Sequence, residues 1–433
     1  MENLIVIWGG KTVGRLHRPP MSGELNFSYD PQWISCGRPG ISLSLPVSGQ
    51  RFDTEITKNF FGNYMPENSF LLEYLRAKHR ITPGNLFAFL AEYGIESAGA
   101  LVIVKEGMDI PECSNEYRDV TDRLVAELTL PPEKQIDLII AVEAKISLAG
   151  AQNKLPVRYE KGRFLVPADE SLAATTHVIK PPHRAFRDLP YNEAFCMELA
   201  RSIGLPAAMS DIVDIGGTGV FITERYDRTV ADGTVTRLHQ EDFCQALGVH
   251  HDFKYEVQGG PGFRECVSLL ASNGLPRSAT DDLASVAVFN VIIANHDAHA
   301  KNFSLLYDYR PEPDRSGTGL RLAPFYDLVC TGIYPLNDSF AMSIGDIFYL
   351  HELDDDAYRR FASDLSLTCG QLAELIRDTV SGVRASALDI VHNFVTRFGR
   401  EGMFSEMLQL TMKNCEILEK ASESLDHAHE FDP

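Results

Sequence analysis

A short polar segment between an apolar helix and an apolar strand constrains this chain more than any other feature. Residues 283–294 are mostly apolar and predict a buried helix. The segment 295–302 follows with the sequence NHDAHAKN, and a strand-like run, 303–307, comes next. The order predicts a helix, a polar loop and a strand, with Asp297 and Asn302 in the loop.

The chain then turns through the Pro- and Gly-rich residues 311–319 and returns as a second strand that ends at Asp327. A hairpin brings its two ends together, so we expect Asp327 to lie beside Asn302. A carboxylate and an amide oxygen suit Mg²⁺, which binds few protein carboxylates and otherwise uses phosphate oxygens and water.

The spacing of Asp297 and Asn302 is that of a protein-kinase catalytic loop. There the aspartate accepts the proton of the substrate hydroxyl, and the asparagine binds a metal ion on the nucleotide. Such a pair also occurs by chance, so the kinase interpretation depends on residues upstream.

Bulk composition limits the class of protein. No apolar run reaches membrane-spanning length, the N terminus is strand-like, and the 8 cysteines include no Cys-x-x-Cys pair. We therefore expect a cytoplasmic protein with reduced thiols and no membrane partner. The net charge of −20 argues against direct binding of nucleic acid. A local basic patch stays possible, and one candidate is a set of four arginines in the C-terminal third, which we interpret as solvated helix faces: Arg377, Arg384, Arg397 and Arg400.

The pattern along the chain predicts an α+β protein in four parts. They are an N-terminal α+β module (1–130, with a strand at 41–45), a strand-rich lobe (131–235), a helical lobe (236–420) and a disordered tail (421–433). A strand-rich half followed by a helical half predicts a two-lobed arrangement with a nucleotide between the lobes.

Upstream residues offer contacts for phosphate. Residues 146–154, with the sequence ISLAGAQNK, combine small residues with a lysine, although the loop is neither a Walker loop nor a Gly-x-Gly-x-x-Gly loop. Lys180 ends an apolar strand and suits a phosphate contact; a snorkelling lysine is the alternative. Glu193 or Glu198 on the next helix could orient it. The strand end 224–226 could expose backbone groups to an adenine edge.

Together these segments resemble the HipA family of serine/threonine-protein kinase toxins. Seven segments are similar to family signatures and occur in family order: 146–154, 176–180, 192–193, 224–228, 239–243, 295–302 and 323–327. The N-terminal module also resembles the one that precedes this kinase in the family.

The resemblance implies an atypical, two-lobed protein-kinase-like fold with ATP and Mg²⁺ as cofactors. Asp297 would be the catalytic base, Asn302 and Asp327 would bind the metal, and Ser147 corresponds to an autophosphorylated serine whose modification inactivates the kinase. The nucleotide site would comprise the metal ligands and a further set: Ala149, Gly150, Ala151, Gln152, Asn153, Lys154, Lys180, Glu224, Arg225, Tyr226, His299, Ala300, Lys301 and Tyr326.

The resemblance also implies partners. A HipB-like helix-turn-helix antitoxin dimer would bind operator DNA and carry the toxin to the nucleoid. The substrate would be an aminoacyl-tRNA synthetase, glutamyl-tRNA synthetase in the family's best-known members, and its phosphorylation would cause growth arrest and persistence.

Two other classes stay open. The doublets 251–252 and 296–297 could belong to a His-Asp metal phosphohydrolase, but that chemistry needs an all-helical metal site with several histidines. A catalytically inactive co-repressor that acts only with the antitoxin is the second alternative. The presence of Asp297, Asn302 and Asp327 argues against it.

Overall fold

The structure is a computed structural model, and it describes residues 2–19, 22–108, 116–131, 133–144, 152–168, 171–186, 188–308 and 319–428. The chain divides into two compact units. The first comprises Met1–Arg184, Val213–Asp252 and Ser304–Arg321, and the second comprises Ala185–Ile212, Phe253–Phe303 and Leu322–Pro433. None of the helices in these described ranges is long and apolar enough to cross a membrane.

The strands are, in chain order, β1 (Glu2–Trp8), β2 (Lys11–Arg18), β3 (Asn26–Tyr29), β4 (Leu101–Lys105), β5 (Tyr117–Asp119), β6 (Leu155–Glu160), β7 (Arg163–Pro167), β8 (His177–Lys180), β9 (Ser210–Ile215), β10 (Thr218–Glu224), β11 (Arg228–Ala231), β12 (Thr234–Arg237), β13 (His239–Asp242), β14 (Ser304–Tyr307) and β15 (Leu320–Leu322). The α-helices are α1 (Pro31–Ser35), α2 (Thr54–Gly62), α3 (Ser69–His79), α4 (Leu86–Tyr93), α5 (Thr121–Leu128), α6 (Leu138–Ala141), α7 (Leu189–Ser202), α8 (Phe243–Leu247), α9 (Phe263–Ser272), α10 (Arg277–Ile292), α11 (Asp355–Asp364), α12 (Cys369–Phe398) and α13 (Glu401–Ala428).

The first unit is built on sheets. An antiparallel sheet has the strand order β3-β2-β1-β4, and a larger one has the order β5-β7-β6-β8-β10-β9. Alternation along β1 buries Leu4, Val6 and Trp8 in one core with the aromatic residues of α2. A second core joins β6 and β8 through Leu155 and Ile179. The smaller sheet β13-β14-β15 contains the predicted hairpin, but its second strand ends at Leu322 and not at Asp327 as the sequence predicted.

The second unit is helical. The long helices α12 and α13 pack against each other, and α10 lies against both. Nearly every residue of α10 from Leu283 onward is buried, which explains its apolar sequence. The predicted helix before the polar loop is confirmed. It begins at Arg277, six residues earlier than the apolar pattern indicated, because its first turns carry polar side chains.

Two local predictions are wrong. Residues 41–45 form no strand, because the N–H of Ile41 donates to the Tyr29 hydroxyl and the N–H of Leu43 donates to the Glu241 carboxylate. The backbone there bonds side chains rather than a neighbouring strand. Residues 421–428, expected in a disordered tail, complete α13 because Leu425 and its neighbours on that face are buried. Residues 429–433 lie outside the described ranges.

Candidate active site

The end of α10 fixes where the polar loop begins. Asn414 on α13 is 1% exposed, and its Nδ2 donates to the carbonyl oxygens of Val291 (3.0 Å) and Ile292 (3.2 Å). Ala294 then adopts a φ of 52°, and its carbonyl accepts a hydrogen bond from the Thr331 hydroxyl at 3.0 Å. These bonds satisfy carbonyls that the helix leaves open and turn the chain into the loop.

Asn295 connects the loop to the segment that returns after the hairpin. Its Nδ2 donates to Asn290 Oδ1 at 2.9 Å and to the backbone carbonyl of Asp327 at 3.3 Å. Its Oδ1 accepts from the N–H of Asp297 at 3.3 Å. One buried amide therefore bonds to the backbones of both Asp297 and Asp327.

Asn302 closes the loop from its other end. Its Nδ2 donates to the backbone carbonyl of Asp297 at 3.0 Å, and its N–H donates to the carbonyl of His299 at 2.8 Å. The Tyr326 hydroxyl donates to the carbonyl of Lys301 at 2.8 Å. Hydrogen bonds thus connect the predicted residues of this loop to one another, and Ala300 between them is buried.

The carboxylate of Asp297 is at the surface of the second unit. Its Oδ1 accepts a hydrogen bond from the hydroxyl of Tyr255 at 2.6 Å. The Tyr255 ring also packs edge-on against His299, with 5.2 Å between ring centroids. Sequence patterns did not predict this contact, because Tyr255 precedes Asp297 by 42 residues and belongs to another segment.

Asp327 adopts a backbone conformation that is uncommon for residues other than glycine. Its φ is 56°, in the left-handed region that aspartate tolerates better than most residues. The segment after it is held by Asn192, a buried residue of α7. The Oδ1 of Asn192 accepts from the N–H of Cys330 at 2.8 Å, and its Nδ2 donates to the Cys330 carbonyl at 2.9 Å.

The donor set of this cluster fits a hard divalent cation. Because Nδ2 of Asn302 donates to the Asp297 carbonyl, its Oδ1 is the atom left to serve as a ligand. Asp327 adds a carboxylate, and oxygen ligands of this kind are those that Mg²⁺ selects. Asn302 and Asp327 are therefore the residues that could hold Mg²⁺.

In the first unit, Lys180 ends β8 and is 6% exposed. It pairs across the sheet with Phe221 of β10, and its Nζ lies 5.5 Å from the centre of that ring. A snorkelling lysine would keep its ammonium group in water. The burial of Lys180 argues against the snorkelling alternative and favours a role for its ammonium group inside the protein.

The loop before β6 is described only in part. Ser147, Ala149, Gly150 and Ala151 lie outside the described residues. Gln152, Asn153 and Lys154 are half-buried, and Asn153 Oδ1 accepts from the N–H of Leu138 at 3.1 Å. The Nε2 of Gln152 is buried and finds no hydrogen-bond partner among the described residues. A buried donor of this kind is available to a ligand.

At the strand end proposed to bind adenine, residues 224–226, one of the three side chains has a structural role. Glu224 is exposed and Tyr226 is half-buried. Arg225 is 7% exposed; its guanidinium bonds Glu96 at 3.0 Å and Asp227 at 2.7 Å, and its N–H donates to a backbone carbonyl. The side chain of Arg225 thus belongs to an ion-pair network, and the adenine assignment depends on Glu224 and Tyr226.

The two glutamates suggested as partners of Lys180 differ. Glu198 is about half exposed and pairs with Arg201 at 2.6 Å. Glu193 is 1% exposed within α7. Glutamates are rarely this buried unless they are paired, so Glu193 is not an ordinary solvent-facing helix residue.

The four arginines of the candidate basic patch are each paired with a carboxylate. Arg384 bonds Glu419 at 2.7 Å, Arg397 bonds Asp211 at 2.8 Å and Arg400 bonds Asp188 at 2.7 Å, while Arg377 pairs with Asp426. Their charge is balanced locally, which supports the interpretation as helix faces.

The structure does not favour a His-Asp phosphohydrolase. Within the described ranges, the one group of three possible metal ligands is His250, His251 and Asp252. It includes neither His296 nor Asp297.

Comparisons with known proteins identify the family of the chain. The family model of the HipA N-terminal domain matches residues 4–104, and that of the HipA-like C-terminal domain matches residues 146–387. The chain is 37% identical to the "Putative kinase Y4mE" of Sinorhizobium fredii, over 88% of this chain and 90% of that protein. It is 31% identical to the serine/threonine-protein kinase toxin HipA of Shewanella oneidensis, over 76% of this chain and 77% of that one.

A solved structure gives the same result. The complex of HipA, HipB and operator DNA from the Shewanella oneidensis MR-1 toxin–antitoxin system contains a similar chain, with a TM-score of 0.78 and 25% identity. The match covers 99% of this chain and 100% of that one. The predicted class, a mixed fold with a strand-rich part and a helical part, is confirmed, and the protein is a kinase. The chain belongs to the HipA family.

Proposed function

We propose that this kinase is a toxin that transfers the γ-phosphate of Mg-ATP to a serine or threonine of an aminoacyl-tRNA synthetase. The observation that carries the proposal is the hydrogen-bonded loop that gathers Asp297, Asn302 and Asp327. By family resemblance the substrate is glutamyl-tRNA synthetase, and its phosphorylation stalls growth.

In the proposed mechanism, Asp297 acts on the substrate hydroxyl. A carboxylate oxygen of Asp297 accepts the hydroxyl proton as the substrate oxygen bonds to the γ-phosphorus and ADP leaves. Lys180, Lys154 and the buried amide of Gln152 contribute a charge or a donor to the phosphates. Asn302 and Asp327 would hold Mg²⁺, which would supply positive charge to neutralise those phosphates.

Phosphate transfer tests the proposal. Purified protein, glutamyl-tRNA synthetase and Mg-ATP are incubated, and phosphopeptides are mapped by mass spectrometry. The wild type should modify a serine or threonine, whereas Asp327→Asn should lose transfer by about 10²-fold or more, because a metal ligand is removed. Asp389→Asn, an exposed aspartate of α12, is the matched control and should keep the wild-type rate. Equal transfer by all three proteins would reject the proposal.

Autophosphorylation of Ser147 is proposed as the off switch. A phosphate adds about −1.5 to −2 charges to a loop that must accommodate the ATP phosphates. Protein incubated with Mg-ATP should carry phosphate on Ser147 and should bind ATP more weakly. Normal ATP binding by the phosphorylated form would contradict the switch.

The proposed partner is a HipB-like antitoxin dimer that binds operator DNA. A chain with a net charge of −20 suits a basic partner better than direct contact with DNA. The toxin would then be cytoplasmic and reach the nucleoid through the antitoxin. Mobility-shift assays should show binding to operator DNA only when the antitoxin is present, and a shift by the toxin alone would contradict this.

A further inference from the structure

A tight turn holds Tyr255 next to the loop of Asp297. Tyr255 directly precedes the 3₁₀ turn Glu256–Gln258, and its carbonyl accepts hydrogen bonds from Gln258 and Gly260, both at 3.0 Å. A Cβ atom at Gly260 would lie 2.3 Å from the carbonyl oxygen of Phe253, so only glycine allows the turn to close this tightly.

The turn is also attached to the segment that follows Asp327. The N–H of Glu256 donates to the carbonyl of Ala341 at 3.0 Å. Its carboxylate accepts from the Ser343 hydroxyl at 2.8 Å and from the Ser343 N–H. Bonds from both backbone and side chain therefore fix the position of the residue next to Tyr255.

Contacts of different kinds surround the side chain of Tyr255. Its hydroxyl donates to Asp297 Oδ1 at 2.6 Å, its ring edge meets His299, and Lys254 places its ammonium 5.2 Å from the ring centre. A hydrogen bond of this length to a carboxylate is charge-assisted and directional. The carboxylate cannot rotate freely while that bond is made.

We propose that Tyr255 is a positioning residue of the kinase, which fixes Oδ1 of Asp297 so that Oδ2 accepts the proton of the substrate hydroxyl. The inference rests on the proposed function, since it names a residue that acts through the catalytic base. The phenol keeps its own proton throughout. The substrate proton passes to Oδ2, the substrate oxygen bonds to the γ-phosphorus, and the bond from phosphorus to ADP breaks.

This arrangement predicts a separation of kinetic constants. Tyr255 is not among the residues that we propose for the nucleotide site. Removing its hydroxyl should therefore slow the chemical step and leave ATP binding unchanged. A hydrogen bond to a charged group, when removed, costs roughly 10- to 100-fold in the equilibrium or rate that depends on it. A purely structural tyrosine would instead lower thermal stability and ATP affinity together.

The test uses the full chain with labelled Mg-ATP and measures kcat and KM for phosphate transfer. In Tyr255→Phe, kcat should fall about 10- to 100-fold while KM for ATP and the thermal midpoint stay at the wild-type values. Tyr349→Phe removes a hydroxyl elsewhere in the second unit and should behave as wild type. Asp297→Asn sets the background rate.

The possible results distinguish a failure of the role of Tyr255 from a failure of the proposed function. An unchanged kcat in Tyr255→Phe, with the background set by Asp297→Asn well below it, would overturn the role of Tyr255 alone. A variant that loses stability or ATP affinity in step with kcat would assign Tyr255 to the fold and overturn it as well. A wild type without any transfer would reject the proposed function, and the positioning role would fall with it.

Discussion

At the scale of the residue, the site divides the polar atoms of each side chain between the fold and the chemistry. Asn302 uses Nδ2 for the Asp297 carbonyl and keeps Oδ1, and Asp297 gives Oδ1 to Tyr255 and keeps Oδ2. In each side chain, the atom that makes the hydrogen bond determines the direction in which the second polar atom points. Orientation of this kind is what a catalytic group needs before substrate arrives.

Lys180 allows the first prediction at this scale. Lys180→Ala should weaken binding of Mg-ATP about 10- to 100-fold, because it removes the buried ammonium that we propose as a phosphate contact. Lys161→Ala, in the exposed turn between β6 and β7, is the matched control and should bind normally. Calorimetry measures both, with circular dichroism to verify the fold. Unchanged affinity and turnover in Lys180→Ala would return this residue to a structural role.

At this scale the sequence predicted Asp297 and Asn302 in the loop, but not the residues that hold the loop in place. Asp297 and Asn302 lie close together in the sequence, so their spacing can be recognised there. Tyr255 and Asn414 meet the loop only after folding, and no local pattern predicts a contact between distant segments. Asn414 did leave a trace, since an asparagine at a buried position of a helix needs a specific partner.

At the scale of the element, a buried ion-pair network ties the turn after α4 to the strands around β11. Glu96, which is 1% exposed, bonds Arg225 at 3.0 Å and Arg228 at 3.1 Å and also pairs with Arg237. Burial alone would raise the pKa of Glu96, but the arginines outweigh it and the pKa is lowered. The same burial lowers the pKa of Arg228 to about 10.

Removing Glu96 should therefore destabilise the first unit. Glu96→Ala leaves buried guanidinium groups without their carboxylate, and breaking a buried pair in this way costs about 3–5 kcal/mol of unfolding free energy. Glu160→Ala removes the exposed partner of Arg158, whose own side chain is 16% exposed, and should have little effect because Glu160 lies in solvent. Urea unfolding compares the two. Equal midpoints would show that the network adds nothing to stability.

Glu241 on β13 predicts a dependence on pH. The side chain is fully buried, and burial raises its pKa to about 7 despite hydrogen bonds from Ser42, Leu43 and Tyr307. The folded protein thus binds a proton that the unfolded chain releases near pH 4.5. The free energy of unfolding should fall as pH rises from about 4.5 through 7, by at most about 3 kcal/mol.

Glu241→Gln isolates this effect, since glutamine keeps the shape and cannot titrate. Denaturant unfolding at pH 5 and pH 8 should show a smaller loss of stability in the variant than in the wild type. The same loss in both proteins would mean that Glu241 does not titrate in this range.

Elements with a strong periodic pattern were predictable, and those held by side chains were not. α10 and the β14–β15 hairpin follow from apolar runs with turn residues between them. The segment 41–45 alternates like a strand, yet Glu241 and Tyr29 satisfy its backbone, and their contacts join residues far apart in sequence. The last turns of α13 are polar in composition, and only packing in the helical unit orders them.

At the scale of the whole molecule, the order of the motifs carried more information than any one of them. The seven segments belong to both compact units, and each is too short to establish a family. Their common order predicted the family that the comparisons then showed. The division into units follows long-range contacts, such as those of Glu96, which the sequence does not display.

The central claim is that Asp297 acts in the chemical step of phosphate transfer and not in binding. The most direct measurement determines the Mg-ATP dissociation constant and the rate of transfer for wild type and Asp297→Asn side by side. The account predicts that Asp297→Asn binds Mg-ATP within about threefold of wild type, while transfer falls by about 10²- to 10⁴-fold, the usual cost of losing a general base. Transfer at close to the wild-type rate in Asp297→Asn would contradict it.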